Sequence, residues 1–102
     1  MRVYISGPIT NNPNYISMFH QAEKELSYIG YKAVNPVKIS ERLGPDATHE
    51  TYMKKDIEAL LSCDAIMFLP GWEESEGCRL EKEVAGGCGI PTIKIKVQAS
   101  RW

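Results

Sequence analysis

Hydrophobic and polar residues change their spacing along this chain, and the changes predict short strands alternating with helices. Runs rich in β-branched and aromatic residues predict strands at 2–6, 31–34, 65–69 and 92–97. Apolar residues at helical spacing predict helices at 14–29, from Thr48 or Thr51 to about 62, and from a cap at Ser75 to 86 or 88. Residues 37–48 contain Gly44-Pro45-Asp46 and are predicted to form a loop with at most one helical turn.

This alternation predicts one α/β domain that covers residues 1–102. A parallel sheet with helices on both faces produces such an order. We therefore expect a three-layer, flavodoxin- or Rossmann-like fold with a four- to five-stranded, mostly parallel sheet. Folds of this kind bind their ligands at the edge where the C-terminal ends of the strands meet.

Two of the predicted helices each turn an acidic residue toward their apolar face. On a helical wheel, Glu81 falls among Gly77, Cys78, Leu80, Val84, Ala85 and Cys88. Asp56 falls in the same way among the apolar residues of the preceding helix. Burying an unpaired carboxylate is costly, so each acid needs a partner or a function. A backbone amide beside Asp56 or an interface arginine beside Glu81 is one explanation; a shared acid and nucleophile site is the other.

The composition narrows the classes of partner. The 12 basic and 13 acidic residues are interspersed and give a net charge of −1, which offers no long-range attraction for nucleic acid polymers or anionic membranes. Three cysteines without a CxxC pair and two distant histidines indicate neither a disulfide framework nor a metal site. A polar N-terminus and the lack of an apolar run of ~20 residues predict a cytoplasmic protein. A domain this small has a thin core, so we expect a homo-oligomer.

Two turns that follow strands carry candidates for ligand binding. In Ser6-Gly7-Pro8, the glycine lets the backbone approach a ligand closely and the proline stiffens the turn. After the third strand, Ser75 caps a helix whose free amide groups suit a phosphate. Trp72, in the same loop, is either a stacking surface for a base or a hydrophobic anchor beneath the loop. The start of the preceding helix adds two candidate pocket residues, His49 and Tyr52.

Three segments carry a resemblance to a known family. They are Tyr4-Ile5-Ser6-Gly7-Pro8, the run DIEALLSCD at 56–64, and Ser75-x-Gly77-x-x-x-Glu81-x-x-x-Ala85. With them the chain resembles the nucleoside 2-deoxyribosyltransferase superfamily over about residues 3–95, and within it a branch of short, uncharacterised bacterial and phage proteins with an LPGW…S-x-G…E pattern. The resemblance implies a small nucleoside or nucleotide as the partner, with no metal and no organic cofactor.

The resemblance also implies a role for each matching residue. Glu81 matches the glutamate that attacks the anomeric carbon of the sugar, and Asp56 matches the aspartate that protonates or holds the departing base. Tyr4 matches the tyrosine that orients the nucleophile or the sugar. Ser75 stands where the monophosphate hydrolases carry a serine and the transferases of free nucleosides an aspartate, which favours a phosphorylated substrate. The expected substrate-binding residues are Ser6, Gly7, Pro8, Trp72, Ser75 and Gly77.

The resemblance therefore implies hydrolysis or (deoxy)ribosyl transfer at the N-glycosidic bond of a nucleoside or nucleoside 5′-monophosphate, with Glu81 as the nucleophile. One alternative is a non-catalytic module of the same fold that binds nucleotides as a sensor or sequestering protein. A second is a small interaction domain that binds no nucleotide. Release of a free base identifies the enzyme, whereas the interaction domain predicts that no nucleotide shifts the melting temperature.

Overall fold

Strands and helices alternate along the chain, as the hydrophobic pattern predicts. The structure is a computed structural model that describes residues 1–95. Its elements are β1 (Arg2–Ser6), α1 (Tyr15–Tyr28), β2 (Lys32–Val34), α2 (Pro36–Leu43), α3 (His49–Leu61), β3 (Ala65–Phe68) and α4 (Glu76–Gly87), with a 3-10 turn at Trp72–Glu74. Within residues 1–95, no helix combines the length and the apolar character needed to cross a membrane.

The strands form one parallel sheet in the order β2-β1-β3. Beyond β3, Thr92 forms a single parallel bridge to Ile66, so the chain returns to the sheet at this edge. The α/β class and the parallel sheet are confirmed. Residues 1–95 form three strands and this bridge, and a sheet of four to five strands is not shown among them. Residues 96–97 of the predicted last strand lie outside the described residues.

The two faces of the sheet carry separate cores, because successive side chains of a strand point in opposite directions. Val3 and Ile5 pack with α1 and α2 in a core that includes Phe19, Ala22, Leu26, Val37, Ala65, Met67 and Leu69. Tyr4 points to the other face and packs with Leu60 of α3, Ile66 of β3, Ala85 of α4 and Cys63 between α3 and β3. The result is a three-layer, Rossmann-like domain in which α3 and α4 cover one face.

Residues 36–43 form the helix α2, and the prediction of a loop with at most one turn was wrong. The side-chain oxygen of Asn35 accepts a hydrogen bond from the N–H of Val37 at 3.0 Å and caps the helix. Pro36 takes the first helical position, where its missing N–H costs nothing. Val37 is buried in the core beneath α1. An Asn-Pro pair fits both the end of a strand and the start of a helix, and the packing of Val37 selects the helix.

The caps of α3 and α4 lie where the sequence predicts them. Thr48 Oγ1 accepts a hydrogen bond from the N–H of Thr51 at 3.2 Å, which selects Thr48 over Thr51 as the cap of α3. Ser75 Oγ accepts one from the N–H of Cys78 at 3.3 Å. Both helices begin after a β-region capping residue, so their first turns are fixed in position.

The buried face of α4 differs in part from the predicted one. Cys78, Glu81 and Ala85 are buried, at the spacing of one stripe along the helix. Leu80 is 44% exposed and Cys88 is also exposed, although the wheel placed both on the inner face. The acid, not its leucine neighbour, therefore points at the sheet.

Candidate active site

Glu81 is a buried carboxylate whose two oxygens are both hydrogen-bonded. Its side chain belongs to the α4 stripe that faces the sheet, and the residue is 6% exposed. Tyr4 Oη donates to Oε2 at 2.6 Å and Ser6 Oγ donates to Oε1 at 2.7 Å. Tyr4 and Ser6 are alternate residues of β1, so their side chains point to the same face of the sheet. The strand therefore holds the carboxylate in one orientation.

The two donors oppose the effect of burial on Glu81. Burial raises the pKa of Glu81 above its usual value, and the hydrogen bonds from Tyr4 and Ser6 offset part of this rise, because they favour the charged form. Burial, followed by the charge of Glu81, raises the pKa of Tyr4 well above its usual value. The phenol of Tyr4 therefore stays protonated and remains a donor.

Asp56 is the second buried acid of this face. It is 9% exposed, and its Oδ1 has no hydrogen-bond partner among the described residues. Burial and then the charge of Glu81 raise the pKa of Asp56 to about 7. An acid that titrates near neutral pH can give up a proton and take it back during a reaction. Asp56 and Glu81, called the acid pair below, lie on two helices that pack against each other.

Gly7 lies where the end of β1 touches the loop after β3. A Cβ on Gly7 would stand 2.8 Å from Leu69 Cδ1, and the N–H of Leu69 donates to the carbonyl of Ser6 at 2.8 Å. Packing against Leu69 is thus a reason for glycine here that the sequence did not reveal. Pro8 lies against Gly71, where an added Cβ would be 3.4 Å from Pro8 Cγ. The two loops therefore support each other beside the site.

Trp72 lies in the 3-10 turn between β3 and α4. Its ring packs on Phe68 with the centroids 4.7 Å apart and the planes tilted by 37°. It forms one wall of a groove of about 490 Å³, which residues 67–73, Lys94 and Ile95 line. The acid pair does not line this groove. The structure thus anchors one face of the indole on Phe68 and leaves the ring beside a groove.

Ser75 and Gly77 stand at the start of α4. The hydroxyl oxygen of Ser75 accepts the capping hydrogen bond from Cys78. A Cβ on Gly77 would make ordinary contact with Met53 Sδ at 3.6 Å, so packing alone does not require glycine there. Ser75 lies nearly two turns before Glu81 on this helix, and Gly77 about one turn before it.

A second groove, of about 550 Å³, lies between the loop after β1, α1, α2 and the start of α3. Its lining residues are Ile9, Tyr15, Ile16, Val37, Ser40, Glu41, Gly44, Pro45 and Tyr52. Tyr52 stands four residues before Asp56 and so shares its side of α3, and its hydroxyl donates to the carbonyl of Gly44. We call this the tyrosine groove. Of this set, only Tyr52 was predicted from the sequence as a pocket residue, because the prediction of a loop at 37–48 concealed the wall that α2 forms. His49, the other predicted pocket residue, is exposed and does not line the groove.

Comparison with known proteins gives a family and a fold. The family described as Domain of unknown function (DUF4406) matches residues 1–94. No curated protein matches the sequence. The chain is similar in structure to a 2-deoxyribosyltransferase from Bacillus psychrosaccharolyticus, with a TM-score of 0.73 and 18% identity over 90% of this chain and 69% of that one. It is also similar to a 2-deoxyribosyltransferase from Leishmania mexicana, with a TM-score of 0.69 and 19% identity over 90% of this chain and 61% of that one. The TM-scores show that the fold is shared, and at identities of 18% and 19% the similarity shows the fold alone.

Proposed function

Because the chain belongs to the DUF4406 family and has the fold of 2-deoxyribosyltransferases, we propose that it cleaves the N-glycosidic bond of a nucleoside or nucleoside 5′-monophosphate. One observation carries the proposal: Glu81 is buried with both oxygens held by β1, and the charge of Glu81 acts on a second acid, Asp56. A carboxylate with a fixed orientation and a neighbouring acid that titrates near neutral pH are what covalent glycosyl transfer requires.

In the first step, an oxygen of Glu81 attacks the anomeric carbon of the sugar. The bond from that carbon to the base nitrogen breaks, and its electron pair leaves with the base. Protonated Asp56 gives its proton to the departing base, which becomes neutral. The product is a glycosyl ester of Glu81, and Tyr4 and Ser6 orient the carboxylate that forms it.

In the second step, water or a second base attacks the anomeric carbon and the ester bond breaks. Glu81 is released as a carboxylate, and Asp56 takes the proton that the attacking group loses. Water as the acceptor gives a hydrolase, and a second base gives a transferase. The same residues serve both reactions.

The tyrosine groove supports a place for the base. It lies on the side of α3 that carries Asp56, and Tyr15 and Tyr52 give it aromatic walls. Planar bases bind well between aromatic and apolar side chains. The acid pair does not line the groove itself, and Tyr52, about one helical turn before Asp56, is the lining residue nearest to that acid in the sequence.

The charges at the start of α4 bear on whether the substrate is phosphorylated. Glu73, Glu74 and Glu76 are exposed and lie within two residues of Ser75 in the sequence, and the Arg79 guanidinium donates to the carbonyl of Glu73 at 2.7 Å. Three carboxylates oppose the binding of a phosphate dianion more than one capping serine favours it. We therefore expect a nucleoside to be cleaved faster than its 5′-monophosphate, in contrast to what Ser75 alone favours. Glu76→Gln removes one of these charges and should reduce the difference between the two cleavage rates.

The test is incubation with matched pairs of nucleosides and 5′-monophosphates, followed by chromatography for free base. Release of base from at least one compound is the expected result. Tight binding of an intact compound without release would contradict the enzyme and support the sensor or sequestering module. If no compound shifts the melting temperature and none loses its base, the result supports the interaction domain that binds no nucleotide.

A further inference from the structure

Two hydroxyl groups that line the tyrosine groove already donate their protons within the fold. Ser40 Oγ donates to the carbonyl of Pro36 at 3.3 Å, about one helical turn earlier in α2. Tyr52 Oη donates to the carbonyl of Gly44. A hydroxyl group has a single proton, so each of these oxygens has only its lone pairs left for a ligand. Toward a molecule in the groove, both hydroxyl groups therefore act as acceptors.

Glu41 adds a carboxylate to the same groove. It lines the groove from α2, is exposed, and takes part in neither of the ion pairs found among residues 1–95. An ionised carboxylate accepts hydrogen bonds and donates none. Two backbone N–H groups of the lining are also occupied, because that of Val37 donates to Asn35 Oδ1 and that of Gly44 to the carbonyl of Ser40. The α2 side of the groove thus presents acceptors to a ligand.

A wall of acceptors favours a base with adjacent donors. Guanine has two neighbouring donors on one edge, its ring N1–H and its 2-amino group, and the two oxygens of a carboxylate can accept both bonds. Hypoxanthine lacks the 2-amino group, and adenine has an acceptor in place of the N1–H. The carbonyl that guanine and hypoxanthine share can accept from the hydroxyl group of Tyr15, which lines the groove from α1. The chemistry of the groove therefore matches guanine best among these three bases.

We propose that Glu41 is a specificity-determining residue that makes the tyrosine groove selective for guanine over hypoxanthine and adenine. Its carboxylate accepts from the N1–H and the 2-amino group, and the oxygens of Ser40 and Tyr52 are further acceptors in the groove. Guanine as the base of the cleaved nucleoside rests on the proposed function, whereas selective binding of guanine does not.

The first test is independent of activity. Calorimetry measures the affinities for 9-methylguanine, 9-methylhypoxanthine and 9-methyladenine, which have no glycosidic bond and are not cleaved. The wild type should bind 9-methylguanine about tenfold more tightly than the other two. Glu41→Gln should abolish this preference and bind 9-methyladenine more tightly than the wild type does, because an amide offers the donor and the acceptor that adenine requires.

Asp46→Asn is the matched control. Asp46 is an exposed acid of the loop after α2 that does not line the groove, so its substitution removes a nearby charge without changing the proposed contact. It should keep the preference of the wild type. Four outcomes would overturn the proposal: no binding of any of the three bases, equal affinities in the wild type, an unchanged order in Glu41→Gln, or the same change in Asp46→Asn.

The second test compares base release from guanosine, inosine and adenosine, each also in its 2′-deoxy form. The wild type should show a kcat/KM for the guanine nucleoside about tenfold above the other two, with most of the difference in KM, and Glu41→Gln should lose this advantage. If no nucleoside releases its base while 9-methylguanine binds selectively, the proposed function fails and the role of Glu41 stands. If all three nucleosides release base at rates that Glu41→Gln leaves in the same proportion, the proposed function stands and the role of Glu41 fails.

Discussion

At the scale of single residues, the two buried acids differ in their hydrogen bonds. Glu81 receives a donor on each oxygen, and both donors favour its charged form. Asp56 has an oxygen without a partner among the described residues, and the charge of Glu81 raises its pKa further. Burial raises the pKa of both carboxyl groups, but only Glu81 has donors that lower it again, and two acids in different environments are suited to different roles. The geometry supports Glu81 as the nucleophile and Asp56 as the acid.

The raised pKa of Asp56 predicts a pH-dependent stability. The folded protein holds this proton up to a pKa of about 7, whereas the unfolded chain releases it near 3.8. Between these values the folded state binds more protons, so stability should fall as the pH rises from 4 through 7. Asp56→Asn should remove the free-energy cost of ionising a buried carboxyl group. It should therefore raise the free energy of unfolding at pH 8 by on the order of 2 kcal/mol.

Urea unfolding at pH 5 and pH 8 measures this effect. Glu58→Gln, on the exposed face of the same helix, is the matched control and should leave the difference between the two pH values unchanged. A stability of Asp56→Asn at pH 8 at or below that of the wild type would contradict the assigned environment of Asp56.

At the scale of helices and strands, the signals that act over a few residues could be read from the sequence. Thr48 and Ser75 cap their helices through N–H groups three residues ahead. The start of α2 was missed because Asn35-Pro36 also fits a strand end. The bond from Ser6 to Glu81 joins residues 75 positions apart, so only the fold brings them together. The inward position of Glu81 was nevertheless predicted, because the period of α4 alone determines it.

The contact between the loops after β1 and β3 predicts the effect of a single methyl group. Gly7→Ala should destabilise the protein by about 1–3 kcal/mol, because its Cβ would stand 2.8 Å from Leu69 Cδ1. Gly86→Ala, in α4, meets nothing within 4 Å and should stabilise by up to about 1 kcal/mol. Thermal unfolding of the two variants tests this contrast. A Gly7→Ala protein as stable as the wild type would contradict this prediction, because it would show that the Leu69 side chain moves aside without loss of stability.

At the scale of the whole molecule, residues 1–95 divide their apolar side chains between two small cores. One lies on each face of a three-stranded sheet. Several large apolar side chains remain outside both cores, among them Ile16 at 58% exposed, Tyr28 at 91% and Leu61 at 51%. Small domains with thin cores gain stability by association.

We therefore predict a homo-oligomer, and a dimer is the commonest form for such an assembly. Light scattering over a range of micromolar concentrations should show a mass at least twice that of the 11.5 kDa chain. A mass of 11.5 kDa at every concentration would contradict this prediction.

One pair of substitutions tests most directly whether Glu81 is the nucleophile. Glu81→Gln keeps the size of the side chain but removes the charge that attacks the anomeric carbon. Release of base should fall about a thousandfold or more, since the covalent step cannot proceed without the carboxylate. The variant should still bind the intact substrate, and the shift in its melting temperature measures this binding.

Glu83→Gln is the control, because Glu83 lies only two residues away on the exposed face of the same helix. It should retain the rate of the wild type. The measurement is the rate of base release by the two variants under identical conditions. A large loss in Glu81→Gln alone is the predicted result, and equal rates in the two variants would contradict the assignment of Glu81.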